Sequence, residues 1–210
     1  VTGVQTCALP IFILKQTKQQ ARLPAPSLLG NHQRRNAGLA VAAFRHVMAA
    51  TGHAAPNSVL ENGITNAVWP GRVQLLGHGA LPVRWPHRPI WLDGAHNAHG
   101  AAALENTLAG ISDTKWNIIC GALNTRDPAE FLAPLAPLAG PVRCLAIPNQ
   151  QASLSAEDLT SAAAGLRLDA RPASDLMAAF DQLDMNLPVI ICGSLYLAGH
   201  VLAQNDTPPE

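Results

Sequence analysis

No apolar run in this 210-residue chain reaches the ~18–20 residues that a membrane-spanning helix needs. Charge is scarce at 13% and carries no excess of either sign, fourteen basic residues against fourteen acidic. A neutral chain offers no bulk electrostatic attraction to nucleic acid or to an anionic membrane. Cysteine is sparse too. Cys7, Cys120, Cys144 and Cys192 are far apart and form no CxxC pair, which excludes a disulfide framework and a cysteine zinc site. The last three sit in apolar runs and read as buried free thiols, so a reducing cytoplasm is expected. The histidines show no HxxxH or HExxH spacing, so no protein-only zinc site is expected. GxxxxGK(S/T), GxGxxG and a serine nucleophile elbow are all absent, leaving nothing that cradles a triphosphate unaided. What is present is apolar: 48% hydrophobic residues, ample for a buried core and contrary to disorder.

The first residues are set apart. VTGVQTCALPIF lacks the basic start of a signal peptide. VTGVQTCALPI is instead the in-frame translation of a sequencing-adapter oligonucleotide, with Phe12 straddling the junction. Residues 1–11 are therefore excluded from fold reasoning, and Cys7 with them. A gene that continued upstream is the expectation.

Residues 12–28 read as the remnant of an element plus a loop. AGLAVAAFRHVMAATG then places Leu39, Ala42, Ala43 and Val47 at helical spacing, with Gly52 as the stop and Asn36 near the start. Asn57-Ser58 is positioned to cap a second helix, SVLENGITNAV. Residues 69–92 change character: Pro, Gly and short apolar runs suggest hairpins and crossings. A domain boundary is expected near Gly77. Beyond it, apolar runs (PIWLD, NIICGA, VRCLAI, LRLDA, PVIICGS) alternate with helical patterns, the last being LYLAGHVLAQ. That alternation predicts an α/β layer, a Rossmann-like and mostly parallel sheet with flanking helices, preceded by a helical piece. Continuous apolar strands fit a sheet covered on both faces.

In such sheets chemistry lies at the carboxyl ends of strands. Three strand-to-helix turns have suitable content. Asp93-Gly94-Ala95-His96-Asn97 offers a carboxylate for ribose hydroxyls and an imidazole beside a helix start that faces an anion; an ordinary cap with a surface histidine is the structural alternative. In Gly121 to Asp127, Arg126 suits a phosphate or carboxylate, while Asp127-Pro128 equally reads as an N-cap with proline at the first position. In Gly193-Ser194 the hydroxyl can bond a carboxylate or simply cap a helix. Arg72 reads as a hairpin arginine, and Asn36 as a possible cap.

Singly these signals are weak. Their order, HQRRNAGLAVAA, WPGR, LDGAHN, GALNTRD and CGSLYLAGHV, resembles the carboxyl-terminal portion of the folylpolyglutamate synthase and dihydrofolate synthase family of Mur-type ligases, over about residues 29–204. DGAHN carries most of the resemblance. It implies residues 12–76 as the end of a central ATP-binding domain and 77–210 as the carboxyl-terminal domain. It further implies ATP contacts from Asn36, Arg72 and Asp93, and glutamate contacts from His96 and Ser194, with Arg126 added. His96 and Arg72 would be the catalytic residues. Two positions depart from the pattern. Ala98 stands where the family has proline, and Thr125-Arg126-Asp127 where it has Asp-Lys-Asp.

The implied reaction is phosphorylation of a pteroate or folate carboxylate by ATP, then attack by the L-glutamate amine on the acyl phosphate. Positioned cations would carry most of it. ATP and magnesium are the implied cofactors, with the magnesium ligands and phosphate loop in a domain this chain lacks. Dihydropteroate or folate and L-glutamate are the implied substrates, and a cytoplasmic monomer is expected. The alternatives are another Mur-type ligase and a non-catalytic α/β binding module.

Overall fold

A computed structural model describes the backbone of residues 11–16 and 19–208, with side chains from Arg22 onward. Of the adapter-like residues 1–11, residues 1–10 lie outside the described residues, and Ile11 is the first residue of a strand, paired with Pro24. The chain divides into two compact units between Trp69 and Pro70.

The first unit holds an antiparallel hairpin, β1 (Ile11–Gln16) and β2 (Gln19–Pro24), with helices α1 (Asn31–Ala50) and α2 (Asn57–Thr65). The hairpin occupies the segment that reads as the remnant of an element plus a loop, and α1 and α2 are the two helices expected after it. Helix α1 ends as anticipated: Gly52 takes φ 74 and His53 N–H donates to Met48 O at 2.8 Å, a left-handed stop that glycine adopts without a Cβ clash. Its buried face differs from expectation. Gln33, Gly38 and Val41 point inward, and Leu39 and Val47 are exposed. Val41 joins Leu23, Leu60 and Ile64 in a small core. Asn57 does not cap α2. It is the first helical residue after Pro56, and its Oδ1 accepts from Arg45 Nη2 at 3.0 Å.

The second unit is built on six strands in the order β3-β4-β8-β5-β6-β7: β3 (Gln74–Leu75), β4 (Ile90–Leu92), β8 (Val189–Cys192), β5 (Trp116–Cys120), β6 (Ala139–Cys144) and β7 (Ala170–Pro172). Every pairing is parallel except that of β3 with β4. Because β3 precedes Gly77, the compact unit begins earlier than the boundary expected there. The 69–92 region forms the anticipated hairpin, but with the short helix α3 (Ala80–Arg84) inside its connection.

Alternation along the strands feeds two cores. Trp116, Ile118 and Cys120 of β5 and Ile190 and Cys192 of β8 face α4 (Ala98–Ala109), α5 (Pro128–Leu132) and α6 (Ala156–Gly165). Ile119, Val189 and Ile191 face α3, α7 (Leu176–Asp181) and α8 (Leu195–Gln204). Burial on both faces explains why these strands read as unbroken apolar runs. Asn205, fully buried after α8, holds the far end: it accepts from Leu81 N–H at 2.9 Å and donates to His78 O at 3.0 Å. Among the described residues no helix is long and apolar enough to cross a membrane.

Candidate active site

Strand β8 inserts between β4 and β5. The carboxyl ends of these three neighbours therefore bring together the turns Asp93–Asn97, Gly193–Ser194 and Gly121–Asp127, far apart in sequence. The crevice outside such a switch point is where open α/β sheets bind ligands.

The turns are tied to one another through backbone. Gly193, at φ 112, donates its N–H to Ala95 O at 2.9 Å, and Gly121 N–H donates to Cys192 O at 3.3 Å. A Cβ on Gly193 would lie 2.5 Å from Gly121 O, so only glycine permits this approach.

Asp93 is buried, and both carboxylate oxygens are engaged. Oδ1 accepts from Ala95 N–H at 2.7 Å and Oδ2 from Val73 N–H at 2.8 Å. It does not cap α4; Asn97 does, its Oδ1 accepting from Gly100 N–H at 2.8 Å. The Val73 bond reaches the segment that carries Arg72. Gly71 and Val73 both have left-handed backbones, φ 69 and 45, and Gly71 O accepts from Gly94 N–H at 2.8 Å. Arg72 thus stands between two backbone tethers to the Asp93 turn. Its half-buried side chain forms no hydrogen bond or ion pair among the described residues.

A cavity of about 220 Å³ opens beside these turns. Its lining includes His96, Arg126, Ser194, Tyr196, Thr125 and Phe131. It therefore joins the three residues expected to meet glutamate. The volume lies below the ~300–1,000 Å³ of pockets for drug-sized ligands and suits a body of amino-acid size. His96 Nδ1 lies 2.9 Å from Gly94 O; a carbonyl only accepts, so Nδ1 carries the proton and the neutral ring's Nε2 is an acceptor. Ser194 is buried at the start of α8. Its Oγ accepts from Tyr196 N–H at 3.1 Å, which leaves its hydroxyl hydrogen to donate elsewhere. Arg126 is exposed at the rim, and Asp127 caps α5, accepting from Ala129 N–H at 2.9 Å ahead of Pro128.

Neither Arg72 nor Asp93 lines this cavity. Asn36 belongs to the other unit. It lies within α1 rather than at its cap, which is Gly30, and its Nδ2 donates to Gln33 Oε1 at 3.0 Å. Phe131 and Tyr196 were not among the expected site residues, and Thr125 stood only as a departure from the family pattern. Tyr196 was within reach, two residues after a serine at a helix start.

Beneath the turns three thiols stand side by side: Cys120 is in register with Cys144 on β6 and with Cys192 on β8. All three are free and buried, with Cys120 Sγ 3.7 Å from Cys144 Sγ. The contact with Cys144 and burial push the Cys120 thiol pKa up, and burial with the nearby Asp93 carboxylate does the same for Cys192. Cys120 and Cys192 are thus inert core thiols, whereas the contact with Cys120 lowers the Cys144 thiol pKa.

Sheet order, covering helices and a crevice of this composition define a Rossmann-like domain of the kind that binds a small substrate at a switch point. The family model for the dihydrofolate synthetase C-terminal domain matches residues 82–204, and the chain belongs to that family, the carboxyl-terminal portion of the folylpolyglutamate and dihydrofolate synthases. The dihydrofolate synthase/folylpolyglutamate synthase of Bacillus subtilis is 25% identical over 177 residues, 83% of this chain and 39% of that protein. The folylpolyglutamate synthase of Mycobacterium tuberculosis, solved with ADP and AMPPCP, is 26% identical with a TM-score of 0.73, over 90% of this chain and 42% of that one. A bifunctional folylpolyglutamate synthase/dihydrofolate synthase solved with manganese, AMPPNP and L-glutamate is 26% identical with a TM-score of 0.70, over 90% and 43%. The chain thus spans about two fifths of the length of these relatives.

Proposed function

We propose that this chain is the carboxyl-terminal part of an ATP-dependent ligase that adds L-glutamate to dihydropteroate or folate through an acyl phosphate, in the cytoplasm. Residues 12–76 would close a central ATP-binding domain, and 77–210 would form the carboxyl-terminal domain. The gathering of His96, Ser194 and Arg126 around one amino-acid-sized cavity carries the reading. Arg126 at the rim offers a planar fork to a carboxylate. The Ser194 hydroxyl donates to the same group, and His96 Nε2 accepts from the incoming ammonium. Arg72, held beside the Asp93 turn, supplies positive charge where phosphoryl transfer spreads negative charge. Asp93 serves ribose only with acceptor capacity left over from its two backbone bonds. Among the described residues no three acidic, histidine or cysteine side chains gather into a metal-holding group, so no step is assigned here to the implied magnesium.

The chain alone should not ligate glutamate, because its sequence holds no phosphate loop to position the triphosphate. Fusing the front domain of a related synthase ahead of residue 30 should give phosphate release that needs ATP, folate and glutamate together. In the fusion, Arg72→Ala should lower kcat, and Ser194→Ala should raise the KM for glutamate. Glutamate-dependent turnover by the unfused chain would refute the first expectation. An unchanged glutamate KM in Ser194→Ala would refute the assignment of the cavity.

A further inference from the structure

A second cleft, of about 490 Å³, opens at the opposite, amino-terminal edge of the sheet. It lies among the starts of β4, β5 and β8 and is distinct from the crevice already described. Trp91, Trp116, Ile111 and Leu187 give it apolar walls, and Arg88 lines it with them. Its far wall is built rather than loose. Asn117, fully buried in β5, donates to Asp184 O at 2.8 Å and Leu187 O at 3.0 Å, and accepts from Asp184 N–H at 3.0 Å. Residues 184–187 are therefore clamped to the strand below them.

Two donors here are left without partners. Trp116 is fully buried, yet its Nε1–H has no hydrogen-bond partner among the described residues, and the same is true of Arg88 Nη1. They are the only such buried side-chain atoms among the described residues, and both belong to this one cleft. Natural structures rarely leave buried donors unmet, and each that is left calls for an explanation. No acidic side chain lies at ion-pair distance from Arg88 among the described residues. Asp184, whose charge acts on Arg88, already accepts from Asn186 N–H at 2.8 Å. The volume falls within the range of small-molecule sites, and apolar walls with a few convergent polar groups are the usual make-up of one.

We propose that this cleft is a second ligand site, for a small planar aromatic carboxylate. The acid would meet the Arg88 guanidinium, with the Trp116 indole N–H as a further donor, and the ring would lie between the tryptophan and aliphatic walls. Both residues line the cleft while these two nitrogens are themselves buried, so binding would require the half-buried Arg88 side chain to turn toward the ligand. The charge-assisted bond supplies orientation, and the aromatic walls supply contact area. A protein partner fits less well, because the donors sit in a concavity rather than on a face.

The test is titration of the full chain with 2-naphthoate, read by calorimetry and by the indole N–H resonances, with that of Trp116 assigned through Trp116→Phe. One-to-one saturable binding should shift the Trp116 resonance. Arg88→Met should weaken binding more than tenfold, and Trp116→Phe, which keeps an aromatic ring, about three- to tenfold, the worth of one hydrogen bond. The uncharged 2-naphthylmethanol should bind at least tenfold more weakly. Ser194→Ala, which alters the other cavity, should leave naphthoate binding unchanged. Absence of saturable binding at millimolar naphthoate would overturn the proposal, as would equal affinity for the alcohol, undiminished binding by Arg88→Met, or loss of binding in Ser194→Ala. Arg88 is only half-buried, so its variant and the neutral ligand decide the matter even where Trp116→Phe fails to fold.

Discussion

Replacing Asp93 by alanine should unfold the second unit far more readily than a surface change would, before any question of nucleotide arises. The carboxylate is buried and accepts from Val73 and Ala95 N–H at 2.8 and 2.7 Å. Alanine leaves both donors buried and unmet. Each such donor costs about 1–3 kcal/mol, so the pair together cost about 2–6 kcal/mol. With a urea slope of about 2 kcal/mol/M, the unfolding midpoint should fall by about 1–3 M. Asparagine retains one acceptor oxygen but sets an amide N–H₂ against the other backbone donor, so Asp93→Asn should lose about half as much. Tryptophan fluorescence in urea is the assay, since Trp85, Trp91 and Trp116 all report on this unit. A midpoint for Asp93→Ala within about 0.3 M of the parent chain, at an unchanged slope, would refute the reasoning. The result also bears on activity. The lost Val73 bond is one of the two tethers of Arg72, so inactivity of Asp93→Ala in a fused ligase would not by itself identify a nucleotide contact.

Gly193→Ala should destabilise by several kcal/mol: φ 112 is a strained conformation for alanine, and its Cβ would lie 2.5 Å from Gly121 O. A melting temperature unchanged from the parent chain would contradict that. Ala98→Pro should raise the melting temperature slightly, by about 0.4–1 kcal/mol of stability, because Ala98 is the first residue of α4 after the Asn97 cap, where proline restricts the unfolded chain; a fall would show that the Ala98 N–H is needed. Iodoacetamide at pH 8 should leave Cys120 and Cys192 unmodified in the native protein, since both thiols have raised pKa values and remain protonated there. Labelling should begin only as the protein unfolds in urea, and prompt alkylation of either under native conditions, followed by mass spectrometry, would refute their burial.

Much of the second unit was legible because its strands are continuous apolar runs and its helices start on recognisable caps. Asn97, Asp127, Ser155, Asp175 and Ser194 all accept from the first turn of their helices. The strand order was not legible. That β8 lies between β4 and β5 depends on long-range pairing, and only this order makes neighbours of His96, Ser194 and Arg126. Local pattern also failed where tertiary packing chose between two faces. Leu39 and Val47 have helical spacing, yet Gln33, Gly38 and Val41 are the residues buried. The role of Asp93 was hidden for a different reason. One end of its bonding lies at Val73, whose φ of 45 no residue pattern announces in a β-branched side chain.

The sheet of the second unit ends in very short strands, two residues at β3 and three at β7. Open edges invite a further strand from another molecule, and long flat ones nucleate aggregates. Here the left-handed Val73 directly precedes β3 and interrupts any extension of that strand at its start. At the other edge, β7 carries exposed Arg171 and Pro172, the latter unable to donate to an incoming ladder. The unit is thereby guarded at both margins against edge-to-edge growth. Lengthening β7 by replacing Pro172 with valine would remove one of those guards without touching either cavity.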